Sequence, residues 1–184
     1  MSLVKVTNAT AGIWSITLHG DIVLDGQFNA WLPITGFCPA GMEFVYPDPY
    51  ITITIPGTMV GGICIGAYDS RKNILASETS WGPTRLPIVK PDLVSPGVNV
   101  EGYYPTGRGV MSGTSAAVAI TAGACALMMQ WGIVKGNEPA LSSYQIRAYL
   151  IRGADRMENI KYPDFKWGYG SLNLFQSFRY MRSL

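Results

Sequence analysis

The hydrophobic and polar positions divide the 184-residue chain into a strand-like first part and a longer part of mixed pattern. In residues 3–34, apolar side chains alternate with polar ones or form short clusters between Gly, Asp and Asn turn residues. This pattern predicts two or three short antiparallel strands. Because so few strands are not stable alone, we expect them to dock on the following domain or to pair with another chain.

The pattern beyond residue 50 predicts strands that are followed by helices. The nearly continuous apolar run 60–67 is typical of a parallel strand that is buried on both faces. Ser115 to Trp131 is apolar on all sides and rich in Ala, which predicts a buried central helix close against a sheet. Ser142 and Gln145 have the spacing of a capping box and predict the start of a second helix. The predicted strands are 51–55, 60–67, 74–76 and 88–94, and the predicted helices begin near residues 115, 143 and 174. Together they indicate an α/β fold of three layers, with parallel strands packed on the first two helices.

Composition and charge narrow the class of protein. Hydrophobic residues make up 48% of the chain and charged residues 14%, which predicts a packed core. The net charge of +2 without a basic block gives no indication of nucleic-acid binding. No apolar run is expected to span a bilayer, and the first residues lack a signal-peptide pattern. Cys38, Cys64 and Cys125 have no paired spacing, which favours a reducing compartment.

Candidate chemistry is concentrated where the central helix begins. Ser115 follows Gly113 and Thr114, so its hydroxyl lies at or near the helix N-terminus. Free N–H groups and the positive end of the helix dipole favour a developing negative charge there. A nucleophilic serine in this place could also donate its own N–H to an oxyanion. The alternative is that Thr114 or Ser115 is only an N-cap, as such residues often are.

Several segments, in the right order, resemble those of the subtilisin-like serine proteases (subtilases). They are Ile63 to Asp69, Ala76 to Thr84, Lys90 to Val98, the Gly113-Thr114-Ser115 stretch with its Ala-rich helix, and Trp167 to Asn173. The resemblance covers residues 50–180 and implies a three-layer subtilisin-like fold with Ser115 as the catalytic nucleophile. It implies that the backbone N–H groups of Ser115 and Thr114 face the oxyanion. It also implies that four residues line the primary specificity pocket, namely Ile55, Pro56, Gly57 and Thr58, for which an ordinary Pro-Gly turn is the alternative.

A narrower resemblance concerns the first part of the chain and the central helix. Residues 3–34 and the run Ala116 to Gly123 are similar to those of clostridial germination-type (Csp-like) subtilases, in which a jelly-roll domain is inserted inside the protease domain. The resemblance assigns residues 1–34 to the terminal strands of that β-sandwich. It assigns 35–50 to a connector and 51–184 to the C-terminal part of the catalytic domain. A bacterial cytoplasm or spore is then favoured over secretion.

The partners that a serine nucleophile needs are missing from the sequence. Subtilases also require an Asp, a His and a side-chain amide that completes the oxyanion hole, all of which precede the serine. His19 lies in a predicted strand without the family context, and Asn137 follows Ser115 instead of preceding it. We therefore expect the C-terminal portion of a serine endopeptidase that is inactive alone.

The same resemblance defines the expected partners. These are a protein or peptide substrate and the N-terminal half of the same protease, with self-association through exposed sheet edge and no nucleic acid or membrane. No cofactor is expected; calcium binding stays open, because the sequence by itself locates no calcium site.

Two other functions remain open at this point. The parent protein could be a pseudoprotease that keeps the fold and has a regulatory or binding role in spore germination. A carbohydrate-binding β-sandwich would use Trp14, Phe28 and Trp31, but it leaves residues 50–180 without a role.

Overall fold

The computed structural model describes residues 3–33, 37–86 and 88–182. The chain forms two compact units, the first ending at Met42 and the second beginning at Glu43. The boundary that the resemblance places between residues 34 and 35 lies outside the described residues. Each unit is therefore considered by itself.

The first unit contains no helix or strand among its described residues. Its hydrogen bonds are local, such as that from Trp14 Nε1 to the Thr10 carbonyl at 3.0 Å. Apolar side chains along it are open to solvent, with Ile13 90% and Leu24 97% exposed. The antiparallel strands predicted within residues 3–33 are therefore not formed. The physical reason is that two or three short strands without partner strands have too few cross-strand contacts to hold a sheet.

The second unit contains a small mixed sheet that carries the predicted parallel pairing. Its strands are β1 (Ile65–Asp69), β2 (Ile74–Leu75) and β3 (Leu93–Pro96), in the order β2-β1-β3. β1 and β3 are parallel, with Ile65 opposite Leu93, whereas β2 is antiparallel to β1. The predicted strand at 51–55 is absent, because its backbone pairs only at its first residues with the loop at 81–82.

A β-hairpin that the sequence pattern did not predict connects the sheet to the first helix. It consists of β4 (Val100–Tyr104) and β5 (Gly107–Met111). The hairpin contains three glycines, and none of its residues is fully buried. It therefore lacks the regular apolar alternation that identifies a half-buried strand.

Three helices follow, close to their predicted positions. They are α1 (Thr114–Met129), which continues as one π-helical segment (Gln130–Val134), α2 (Ser143–Gly153) and α3 (Leu174–Arg182). The predicted capping box of α2 is confirmed: Ser142 Oγ accepts from the Gln145 N–H, and Gln145 Oε1 accepts from the Ser142 N–H. The parallel pair β1–β3 and the helices of the second unit thus confirm the α/β class.

The core lies between the sheet and the helices. Ala67 of β1, Leu93 of β3, Ala117 of α1 and Leu150 of α2 are all fully buried in one cluster. On the other face of the sheet, Val94 packs in a second cluster with Tyr68 and Trp167. The sheet is therefore covered on both faces, as a parallel pair requires.

Helix α1 is buried on one side and open on the other, which corrects the expectation that it is buried all round. Its buried residues are Ala116, Ala117, Thr121, Ala124 and Met128. On the open side Val118 and Leu127 are about half exposed, at 48% and 50%. By length and composition, the continuous helix Thr114–Val134 could also cross a membrane. The expectation from the sequence that no apolar run is long enough to do so is therefore wrong. Core helices of soluble proteins pass the same test, so this finding carries no conclusion about a membrane.

Candidate active site

Ser115 is placed by the sharp turn that starts helix α1. The N-cap residue is Gly113, whose φ of 129° is rarely adopted by residues with a side chain. No side chain caps the helix, so the alternative role of Thr114 or Ser115 as N-cap is wrong. Thr114 and Ser115 are the first two helical residues, and the first N–H groups of a helix have no intrahelical acceptor. The turn can therefore present both a hydroxyl and free N–H donors to an oxyanion.

The sheet holds this turn through Gly97, which follows β3. The Gly97 carbonyl accepts from the Gly113 N–H at 2.7 Å, and the Gly97 N–H donates to the Tyr68 carbonyl at 3.0 Å. A Cβ at Gly97 would lie 2.6 Å from the Cβ of Ala67 and 2.9 Å from the Gly113 carbonyl oxygen. Glycine is thus required for this close approach of β1, β3 and α1. The position of Ser115 depends on the sheet as much as on its own helix.

Ser115 is an exposed residue, and its hydroxyl has no hydrogen-bond partner among the described residues. His19 belongs to the first unit and Ser115 to the second. Asn137 donates instead to the Trp131 carbonyl, at 2.8 Å, and serves to hold the loop after α1. Within the described residues of the second unit, no base or amide side chain is hydrogen-bonded to the Ser115 hydroxyl.

The second predicted site, Ile55 to Thr58, is a turn on the surface of the second unit. The Met59 N–H donates to the Pro56 carbonyl at 3.0 Å, and Ile55 is 87% exposed. A Cβ at Gly57 would lie 3.1 Å from both the Sγ of Cys64 and the Thr54 carbonyl oxygen. The turn therefore lies close to Cys64 at a position where a Cβ would make tight contacts. The pKa of the Cys64 thiol is raised to about 11, mainly by burial and also by the charge of Asp92, whereas the charge of Lys90 lowers it.

A buried charged cluster bonds to Gly62 and Cys64 in the segment that follows this turn, and sequence reasoning missed it. Lys90 and Asp92 are 0% exposed, and Lys90 Nζ lies 2.6 Å from Asp92 Oδ2. Arg147 of α2 reaches the other oxygen, with its Nε 2.7 Å from Asp92 Oδ1. The Lys90-Pro91-Asp92 motif was the available signal, but nothing local indicates that Arg147, 55 positions later, completes the cluster.

The described residues contain no group of three or more His, Cys, Asp or Glu side chains that could hold a metal ion. The cluster of Lys90, Asp92 and Arg147 has two cations for one carboxylate, which is the wrong balance for a cation ligand set. The chemistry that the described site can support is therefore that of a serine hydroxyl and backbone donors.

A model of the subtilase family matches residues 49–170, about two thirds of the chain. Subtilisin Savinase of Lederbergia lenta is 35% identical over 127 residues, covering 68% of this chain and 38% of the enzyme. The serine protease AprX of Bacillus subtilis is 30% identical over 143 residues, covering 66% of this chain and 30% of that protein. The chain thus spans about a third of the length of these curated relatives.

A solved structure agrees with these matches. The Clostridium perfringens CspB protease superimposes with a TM-score of 0.73 at 36% identity, covering 77% of this chain and 31% of that chain. This match confirms the subtilisin-like α/β fold and the resemblance to Csp-type proteins. Because one family match runs without interruption from the strands of the sheet through Ser115 to α2 and beyond, this chain belongs to the subtilase family.

Proposed function

We propose that this chain supplies the nucleophile of a subtilisin-like serine endopeptidase, with Ser115 attacking the carbonyl carbon of a peptide bond. The observation that carries the proposal is the exposed residue Ser115 at the second position of α1, directly after the glycine turn. The Oγ–C bond forms as the hydroxyl proton passes to a base, and the carbonyl oxygen becomes an oxyanion. In this proposal the N–H groups of Ser115 and Thr114 donate to that oxyanion.

The base, its orienting Asp and the side-chain amide of the oxyanion hole belong, in this proposal, to the N-terminal half of the same protease. The described residues bring none of these groups into hydrogen-bond contact with Ser115. Removing a triad member from a subtilisin leaves a small residual rate, so the isolated chain is expected to be inactive.

The open side of α1 supports such a partner. It combines Ser115 with exposed apolar side chains of the same helix, including Val118, Leu127 and Met129. An apolar helix face of this kind is normally covered in a folded protein. A complementary half that covers it would bring its own residues next to the nucleophile.

The substrate in this proposal is a protein or peptide whose side chain enters a pocket with Ile55, Pro56, Gly57 and Thr58 in its wall. The exposed turn and the close packing of Gly57 on Cys64 support a rigid pocket wall there. Residues 1–34 are proposed to be the last strands of an inserted jelly-roll domain, which would pair with earlier strands of that domain.

Covalent labelling with a fluorophosphonate, followed by intact-mass measurement, tests the proposed activity. The chain is examined alone and after mixing with the N-terminal half of the parent protein. Labelling of the mixture that disappears in Ser115→Ala, and none of the chain alone, is the expected result. Labelling of the pure chain would contradict its predicted inactivity. Absence of labelling in a folded complex would show a pseudoprotease instead.

A further inference from the structure

We propose that Lys90, Asp92 and Arg147 act as a positioning cluster for the turn at residues 55–58, and thereby tune substrate selection; the second part of this inference rests on the proposed protease function. The cluster lies beneath the segment that follows the turn and makes specific bonds to its backbone. Its members come from the loop before β3 and from α2.

Two backbone atoms of the irregular segment before β1 are held by the cluster. Lys90 Nζ donates to the Gly62 carbonyl at 2.7 Å. The Cys64 N–H donates to Asp92 Oδ2 at 2.6 Å, the same oxygen that accepts from Lys90. The Cys64 carbonyl accepts from the Asp92 backbone N–H at 2.8 Å, but the Cys64 N–H and the Gly62 carbonyl are satisfied by charged side chains instead of a neighbouring strand.

Arg147 fixes the orientation of the Asp92 carboxylate from the opposite side. Its Nε and Nη2 both lie within hydrogen-bond distance of Asp92 Oδ1, at 2.7 and 2.5 Å. The Arg147 side chain is 28% exposed, whereas the carboxylate is fully buried. Helix α2 thus helps to orient the Asp92 carboxylate, whose Oδ2 accepts from the Cys64 N–H.

The side chain of Cys64 carries this constraint to the turn. A Cβ at Gly57 would lie 3.1 Å from the Sγ of Cys64, which is closer than ordinary van der Waals contact. A shift of the Cys64 backbone must therefore displace Gly57 or open a gap beside it. The path from Arg147 to the turn runs through one carboxylate, one N–H group and one thiol.

Stability alone does not account for such a cluster. A buried ion pair is often no more stabilising than apolar residues of the same volume, because desolvation offsets the attraction between the charges. The bonds of Lys90 and Asp92 to Gly62 and Cys64 are directional, and apolar side chains could not replace them. A positional role accounts for both the burial and the direction of the bonds.

The accessibility of the Cys64 thiol reports the position of this segment without any catalytic assay. In the 184-residue chain, Cys38→Ser and Cys125→Ser leave Cys64 as the remaining thiol. Alkylation of Cys64 by iodoacetamide is then followed at a fixed pH. We expect Arg147→Leu to accelerate it about tenfold through local opening, and Arg147→Lys to restore the rate to within about threefold of the parent.

Lys90→Met distinguishes a change in the position of the Gly62–Cys64 segment from a change in the pKa of the Cys64 thiol. Lys90 lowers the pKa of Cys64, so loss of its charge alone would reduce the thiolate fraction and slow alkylation. Release of the Gly62 carbonyl would instead accelerate alkylation. An accelerated rate supports the proposal, and a slower rate contradicts it.

Leu150→Ala is the matched control for global destabilisation. Leu150 lies on α2 like Arg147 and is fully buried, but it makes no bond to the cluster. At denaturant concentrations that equalise the free energies of unfolding, we expect Leu150→Ala to change the Cys64 rate less than about twofold. Equal acceleration by Leu150→Ala and Arg147→Leu would mean that the cluster is merely structural, and would overturn the proposal.

The link to substrate selection is tested in the assembled protease. We expect Arg147→Leu to raise KM about tenfold for peptides that fill the specificity pocket, with kcat changed less than about twofold. An unchanged KM with accelerated Cys64 alkylation would overturn the link to substrate while the positioning role stands. An inactive parental complex would refute the proposed protease function, and with it this link, but the thiol measurement would still decide the positioning role.

Discussion

At the scale of single residues, two buried serines show how hydrogen bonding decides the contribution of a hydroxyl. Ser95 of β3 is 0% exposed, and its Oγ has no hydrogen-bond partner among the described residues. Ser177 of α3 is equally buried, but its Oγ donates to the Asn173 carbonyl at 2.8 Å. A buried hydroxyl without a partner loses its hydration and gains nothing in return.

We expect Ser95→Ala to raise the free energy of unfolding by about 1 kcal/mol, because it removes the unsatisfied hydroxyl. Urea-induced unfolding of the chain, followed by circular dichroism, measures the change. Ser177→Ala is the matched control and should lower the free energy of unfolding by about 1 kcal/mol through loss of a hydrogen bond. Destabilisation by both substitutions would show that Ser95 has a partner in solution.

The raised pKa of the Cys64 thiol predicts how the free energy of unfolding changes at alkaline pH. Its pKa rises from an ordinary value of 9.0 to about 11 on folding, mainly because the thiolate is poorly solvated where it is buried. The unfolded chain therefore loses its proton first, and the stabilising contribution of the thiol is complete below pH 9 and lost as pH rises to 11. We expect the free energy of unfolding of the parent chain to fall more steeply across this window than that of Cys64→Ala. Parallel pH profiles would contradict the raised pKa.

At the scale of elements, helix α1 contains one glycine that its backbone conformation requires, at the N-terminal turn, and one in its middle that the conformation does not require. Gly113 has a φ of 129° and open space around its missing Cβ, so only the backbone conformation opposes a side chain. Gly123 also has open space but lies inside the helix, where it has no positive φ.

We expect Gly113→Ala to lower the free energy of unfolding by about 1–3 kcal/mol because of backbone strain. Gly123→Ala should raise it by about 0.5–1 kcal/mol, because alanine restricts the unfolded chain and favours the helix. Thermal unfolding of the two variants beside the parent chain measures both effects. Stabilisation by Gly113→Ala would show that the turn differs from the one described.

At the scale of the whole molecule, exposed apolar surface is the prominent feature. The open side of α1 exposes Val118 and Leu127, and the first unit exposes apolar side chains along its length. Patches of this kind mark contact surfaces or cause association.

We therefore expect the chain to self-associate as its concentration rises, and the N-terminal half of the parent to compete with this association. Light scattering across a concentration series measures the mean mass with and without that half. Leu127→Glu on the open side of α1 should reduce association, whereas Tyr103→Glu on the exposed hairpin is the control at another surface. A monomer at every concentration would refute this expectation.

Several features follow from the sequence because their causes are local. Gly113 and the Ala-rich run place Ser115 at the start of a helix, and Ser142 with Gln145 begins α2. Turn chemistry, capping and helical periodicity depend on residues within a few positions of one another. The order of the subtilase segments is likewise a property of the sequence, and the family match confirms it.

The tertiary structure decided what depends on distant neighbours. Residues 51–55 alternate like a strand but find only the loop at 81–82 beside them, so no strand forms. Because α1 is apolar on all sides, its sequence did not indicate which side is exposed to solvent. Arg147 meets Asp92 across 55 positions because α2 packs on the sheet. A local pattern specifies the conformation of a segment, but burial and ion pairing depend on which remote segments come together.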